Sequence, residues 1–204
     1  GSPHDQYFFK HPELMVSGQV QTPRVDITNE DLIRSHIHAI WLQESGLDLG
    51  NTPGDLLQLS GEKPSLELLP EVKEKLRARI PQERARERAK KLIDSMLLSL
   101  SSAGWYADGW LEEVIRGIPQ AFELTLGRWQ FLYRAARNQA DQANRVILDH
   151  ARMQDHDSAK RLRQEAETQL RLLTDKQSAI QSDFYTYRYF ASEGFLPGYN
   201  FPRL

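Results

Sequence analysis

The clearest pattern in the chain is a series of apolar positions between residues 119 and 193 that recur at steps of three and four. The first half of the series is Phe122, Leu126, Trp129, Tyr133, Ala136, Ala140, Ala143, Ile147 and His150. The second half is Ala159, Leu162, Ala166, Leu170, Leu173, Gln177, Ile180, Phe184, Tyr187 and Ala191. Such steps are typical of a coiled-coil seam. The pattern predicts two long helices, 119–151 and 157–193, joined as an antiparallel hairpin by a short polar turn.

The sizes of these residues predict the shape of the hairpin. Pairing outward from the turn brings small residues such as Ala143 and Ala159 together near the tip, whereas Trp129 falls at the base near Ile180 and Phe184. Each arm would be roughly 50 Å long, so we expect an elongated molecule with an embedded base. The alternative is that the same helix pair lies inside a compact bundle.

The rest of the pattern predicts shorter helices, so the expected fold class is mainly α. Residues 1–27 are predicted to be a connector, and residues 28–118 a small helical subdomain that contains a basic helix, 82–101. Residues 119–204 comprise the hairpin and an extended C-terminal tail. The tail is rich in turn-forming and aromatic residues, and it looks cut from a longer chain.

Composition narrows the class of protein. The 204 residues are 40% hydrophobic and include no cysteine, which excludes disulfides and thiolate metal sites and fits a reducing, cytoplasmic compartment. No apolar run reaches the roughly 18 residues that a membrane-spanning helix needs. We therefore expect a cytoplasmic protein with no membrane partner.

The basic residues are concentrated in one region. Residues 71–91 hold nine bases and four acids, a net charge of +5, whereas residues 22–70 have a net charge of −5. Helix 82–101 is expected to turn its apolar side inward and a row of cations outward, where phosphates could bind. The residues predicted to point inward are Ala85, Ala89, Leu92, Met96 and Leu100. The candidate nucleic-acid-binding residues are Arg84, Arg88, Lys91, Arg77 and Lys90.

Two alternatives stay open for the exposed side chains. The cations could form an ordinary solvated face balanced by Glu83 and Glu87. Among the aromatic residues near the C-terminus, Tyr187 continues the hairpin seam and is expected in the core, whereas Tyr185 and Tyr189 lie off the seam and could stack on unpaired bases.

The motifs of common catalytic sites are missing from the chain. There is no G-x-x-x-x-G-K-[S/T] phosphate loop, no G-x-G-x-x-G, no H-E-x-x-H zinc motif and no G-x-S-x-G nucleophile elbow. We therefore predict no catalytic residue, no metal site and no cofactor within this chain.

Both ends of the chain resemble a known protein family. The opening, Pro3-His-Asp-Gln-Tyr-Phe-Phe-Lys-His-Pro-Glu13, resembles the segment that follows the second RecA-like motor domain of large superfamily-two DEAD/DEAH-box helicases. The stretches 26–42 and 189–204 resemble the helicase subunit of the bacterial DISARM anti-phage system and its relatives.

The resemblance implies the post-motor region of an ATP-dependent DNA helicase. ATP and magnesium would serve the parent motor, and the implied partners are DNA, the motor domains of the same parent chain and another subunit of a defence complex. Two functions follow for the chain itself. It is either an accessory module that contacts DNA through its basic helix, or an interaction scaffold whose hairpin docks a partner subunit.

Overall fold

The computed structural model describes residues 29–175 and 183–198, and within these residues the protein is mainly α-helical with no β-strand. The predicted fold class is confirmed. Two 3-10 turns, Pro53–Leu56 and His150–Asp155, interrupt the helices. The α-helices of these described residues are α1 (Glu30–Ser45), α2 (Pro70–Arg77), α3 (Arg79–Ser95), α4 (Leu97–Leu100), α5 (Trp110–Leu148), α6 (His156–Thr174) and α7 (Thr186–Ser192).

Helix α1 has clear signals at both ends. The Asn29 side chain accepts a hydrogen bond from the Leu32 backbone N–H at 3.1 Å, which caps the first turn. Gly46 ends the helix in the left-handed conformation, with φ of 56°, where a side chain would be strained. Between these ends Ile33, Ile37 and Trp41 are buried on the side that faces the core. The cap and the glycine therefore fix the helix in register with its apolar face.

Helix α5 is longer than the sequence predicts. The expected break between a short helix and a hairpin arm starting at residue 119 is absent, because the helix continues through Gly117 and Pro119. Ile118 and Phe122, which flank the proline, are both fully buried. Burying such side chains gains about 1.5–3 kcal/mol each, which offsets the roughly 3 kcal/mol that an internal proline costs a helix.

Helices α5 and α6 form an antiparallel pair across the 3-10 turn His150–Asp155. Near the turn, Ala143 and Ala159 line the same small cavity, and at the other end the Trp129 indole N–H donates to the Leu173 carbonyl at 3.3 Å. Leu173 lies in the last turn of α6, where carbonyls have no partner within the helix. Trp129 thus ties α5 to the end of α6, while the coiled-coil geometry of the pair stays a prediction.

The prediction of a second hairpin helix over 157–193 is wrong beyond Thr174. Helix α6 ends there, and the predicted contact of Trp129 with Ile180 lies outside the described residues. Thr186 begins the separate helix α7, so the three-and-four spacing does not carry over into it. Consequently Tyr187, which was predicted to lie in the core, is 37% exposed, whereas Tyr189, for which the sequence left the position open, is buried.

The buried Tyr189 hydroxyl joins α7 to α5. It donates to the Thr125 carbonyl at 2.8 Å and accepts from the Trp129 backbone N–H at 3.0 Å. These are the two groups that an uninterrupted α-helix pairs directly. After α7 the chain folds back, so that Phe195 and Leu196 are buried in the same core as α1 and α5. Phe195 and Leu196 are therefore packed on the body rather than extended away from it.

Candidate nucleic-acid interface

The basic helix α3 packs between α1 and α5. It runs from Arg79 to Ser95 rather than over 82–101, because the chain turns at Met96 before the short helix α4. Ala85, Ala89 and Ile93 are its buried residues. Ile93 takes the central place predicted for Leu92 and Met96, which are only half-buried, and Leu100 is buried within α4. Two alanines in the contact face allow α3 to approach its neighbours closely.

Arg84, Arg88 and Lys91 lie together on one exposed edge of α3. Their spacing of four and three residues keeps them within a narrow sector of the helix, at about 100° per residue. All three are exposed. The sector is shifted about 40–50° from the point opposite the buried face, toward α1. We call these three residues the α1-side edge.

The other cations of α3 do not join this edge. Arg79, Arg86 and Lys90 lie on the opposite edge, beside α5, and we call them the α5-side edge. The exposed acids between the two edges are Glu83, Glu87 and Asp94. The predicted site residue Lys90 is therefore separated from Arg84, Arg88 and Lys91 by a row of acids.

Ion pairs neutralise part of both edges. Arg88 binds Glu44 at the end of α1, a carboxylate that is largely buried, and Arg86 binds Glu112 at 2.9 Å. The pKa of Glu112 is lowered first by its own backbone N–H at the start of α5 and then by Arg86. Among the described residues, Arg84 and Lys91 form no ion pair. These two side chains are thus the cations of the α1-side edge that are most available to an incoming anion.

Arg77 occupies a different surface. It ends α2, and the extended backbone at Ala78 turns the chain before α3 begins. Arg77 lines a groove of about 740 Å³ between α2 and α5, together with Lys73 and Arg134. Lys73 is already paired with Glu67 at 2.8 Å. Of the five candidate residues, the structure therefore brings three together and separates Lys90 and Arg77.

Sequence reasoning missed two features that border the α1-side edge. Glu44 is far from Arg88 in the sequence, so no local pattern signals their contact. Tyr187 was assigned to the core, and only the start of a new helix at Thr186 brings it to the surface. Neither feature has a signal in the periodicity of its own segment.

The described part of the chain shows neither a metal centre nor a membrane span. No group of three or more His, Asp or Glu side chains within it is placed to hold a metal ion. None of its helices combines the length and the apolar composition that a lipid bilayer requires.

Comparison with known proteins gives one partial similarity. A stretch of 41 residues, 20% of this chain, is 42% identical to Druantia protein DruE of Escherichia coli strain UMEA 4076-1, a defence-system protein. The stretch covers only 2% of the length of DruE. No protein-family model and no solved structure matches the chain.

Proposed function

We propose that this chain is an accessory, DNA-contacting helical module of an ATP-dependent DNA helicase or translocase that serves bacterial anti-phage defence. The observation that carries the DNA contact is the α1-side edge, where three exposed cations share one side of a rigidly packed helix. The partial similarity to a defence-system protein supports the biological setting at the coarse level.

The geometry of the edge suits phosphates better than bases. Arg84 and Lys91 are seven residues apart, so the edge extends for about 10 Å along α3. Cations in such a row neutralise consecutive phosphates and position a strand, but contacts of this kind carry no sequence information. Binding should therefore tolerate any sequence and weaken steeply with salt.

Catalysis is assigned to the parent protein in this proposal. ATP and magnesium would bind the motor domains of the parent chain, and this module would contact those domains and DNA. The module would then hold or guide the strand that the motor moves. Purified module alone should hydrolyse no ATP, with or without DNA.

The test compares the two edges of α3. Changing Arg84, Arg88 and Lys91 together to glutamate should abolish binding of fluorescently labelled DNA at low salt, since the edge loses its positive charge. Wild-type protein should show a slope of log affinity against log salt near −2 for single strands, as about three phosphate contacts require.

A matched control keeps the overall charge change the same. The variant with Arg79, Arg86 and Lys90 changed to glutamate alters the α5-side edge by the same total charge and should retain most of the affinity. Circular dichroism checks that both variants are folded, because each also removes one ion pair, that of Arg88 with Glu44 or that of Arg86 with Glu112. Equal loss of binding in both variants, or no binding by wild type, would contradict the assignment of the α1-side edge.

A second function is favoured by the turn between α5 and α6. Leu148 is 75% exposed and Met153 is 71% exposed there, and Leu162 nearby is also exposed. Exposed apolar side chains clustered at one end of a helix pair are typical of a protein-docking surface. The hairpin end could therefore hold a partner subunit of a defence complex.

The absence of native cysteine makes this second function easy to test. A Met153→Cys variant carries a single thiol at the hairpin end, to which a photoactivatable crosslinker can be attached. Mixed with the purified subunits of the parent complex, it should crosslink to one of them. The control, Leu98→Cys, places a thiol on another highly exposed apolar residue, 93% exposed, and should not. Identical crosslinking from both positions would argue against a docking end.

A further inference from the structure

A largely apolar pocket opens at the C-terminal end of α1, where the function proposed above assigns nothing. Its volume is about 440 Å³, within the range of small-molecule sites. Leu42 and Leu47 form one wall, Leu196 and Pro197 form another, and Tyr187 lies at the surface with its ring 37% exposed. Gln43 contributes a polar side chain. The pocket thus combines an aromatic face, apolar walls and an amide.

The pocket and Arg88 of the α1-side edge both involve the end of α1. Gln43 and Gly46 line the pocket, and Glu44, which follows Gln43 in the chain, binds Arg88. The Gly46 carbonyl also accepts a hydrogen bond from the Lys75 ammonium group of α2. Arg88 and Lys75 therefore both contact the end of α1, which also lines the pocket.

An aromatic ring beside a row of cations is the arrangement that binds single-stranded nucleic acid, in which the bases stack on the ring and the phosphates contact the cations. A duplex cannot use such a pocket, because its bases are already stacked and paired inside the helix. We propose that this pocket receives one unpaired base of a DNA strand, stacked on Tyr187, while the flanking phosphates contact Arg84, Arg88 and Lys75.

Two acids lie in this region, and a cation neutralises one of them. Glu44 is paired with Arg88, whereas Asp48 is close enough to act on the Tyr187 phenol. Partial burial, followed by the charge of Asp48, raises the pKa of the Tyr187 phenol, so its hydroxyl remains a neutral hydrogen-bond donor at physiological pH. The ring therefore carries no negative charge that would repel a strand.

This inference rests on the proposed DNA contact, so the experiment separates the two. Affinity is measured by fluorescence anisotropy for two labelled strands of fifteen nucleotides, one of thymidines and one of abasic residues with the same number of phosphates. Wild-type protein should bind the thymidine strand at least about fivefold more tightly, since stacking on an aromatic side chain is worth about 1–3 kcal/mol per base.

Three variants locate the base contact. Tyr187→Ala should remove the preference for the thymidine strand and leave the salt slope unchanged, because no phosphate contact is lost. Tyr187→Phe keeps the ring and should keep the preference. Phe131→Ala is the matched control, since this ring is 68% exposed and lies outside the pocket; it should behave like wild type.

The outcomes distinguish the two failures. Equal binding of both strands by wild type, with a salt slope near −2, would overturn the base pocket and leave the phosphate contact standing. A preference that persists in Tyr187→Ala would also overturn it, by placing the base contact elsewhere. Absence of binding by either strand at low salt would remove the proposed function and this inference together.

Discussion

At the scale of single residues, His38 is the most perturbed titratable side chain of the core. Its Nδ1 donates to the Phe195 carbonyl at 3.0 Å, and its ring stacks on the Phe195 ring at 4.4 Å. Burial lowers the pKa of His38 to about 4, since the charged form loses its hydration; the bond to Phe195 opposes this shift, and Arg34 adds to it. His38 therefore packs as a neutral ring that fastens the C-terminal residues to α1.

The lowered pKa of His38 predicts acid sensitivity. The unfolded chain takes up a proton on His38 below its ordinary pKa of about 6.5, whereas the folded chain does so only near 4. The free energy of unfolding should therefore decrease as pH falls from 6.5 to 4, by about 3 kcal/mol in total. Urea unfolding at several pH values measures this decrease.

The control for this measurement is His38→Asn. The asparagine amide can donate to the Phe195 carbonyl but does not titrate. The stability of this variant should change less between pH 6.5 and pH 4 than that of wild type, although carboxylates elsewhere titrate in both proteins. The same pH dependence in both proteins would mean that His38 is not the responsible group.

At the scale of whole elements, α5 contains two glycines that its structure does not need. A Cβ atom added at Gly117 or at Gly127 would have no heavy atom within 4 Å, and neither residue has a positive φ. Glycine in a helix interior costs about 0.5–1 kcal/mol relative to alanine. Gly117→Ala and Gly127→Ala should therefore each raise the free energy of unfolding by about that amount, as chemical denaturation would show.

The contrasting control is Gly46→Ala at the end of α1. It also has open space around it, but its φ is 56°, which strains any residue with a side chain. It should lower stability. A destabilising effect of both α5 substitutions would mean that these glycines are needed for the course of the helix past Pro119.

The sequence predicts the elements where local signals and tertiary packing agree. Periodicity finds α3 and most of α5. It wrongly predicts a helix boundary at Gly117 and Pro119, because both residue types usually end a helix. The burial of Ile118 and Phe122, which keeps the helix continuous, depends on tertiary packing. After Thr174 the error is the opposite one, because periodicity predicts a continuous helix where α6 ends. No glycine or proline occurs between residues 174 and 193 to mark that end.

At the scale of the whole molecule, α5 alone is about 58 Å long, because it has 39 residues. A compact chain of 204 residues has a radius of gyration of only about 17 Å. The core contains residues from the predicted helical subdomain, 28–118, and from the predicted hairpin segment, 119–204. Its first residue in the chain is Ile33 and its last is Leu196. The candidate interface is likewise assembled from distant segments, so the sequence predicts the spacing of Arg84, Arg88 and Lys91 but not the contact with Glu44.

Trp129 of α5 contacts three other parts of the chain. It is fully buried, stacks on Tyr133 at 5.2 Å, and bonds to Leu173 of α6 and Tyr189 of α7. A Cβ atom at Gly54 would lie 3.0 Å from its ring, which shows how closely the 3-10 turn packs on it. Trp129 thus connects four parts of the chain.

Trp129→Ala should lower the free energy of unfolding by about 3–5 kcal/mol, the usual cost of emptying a large aromatic site. Equilibrium unfolding followed by circular dichroism measures the loss. Phe131→Ala, two residues along the same helix and 68% exposed, is the control and should change stability by less than about 0.5 kcal/mol. Similar losses in both variants would contradict the central place of Trp129.

The Tyr189 hydroxyl has a consequence for hydrogen exchange. Most amides within a helix exchange with solvent when the helix itself opens, whereas the Trp129 amide is bonded to a side chain of α7. Separation of α7 from the core would remove this side-chain partner while the rest of α5 stayed helical. The exchange rate of the Trp129 amide, compared with those of neighbouring α5 amides, therefore tests how far the C-terminal helix protects α5, without a probe attached to either helix.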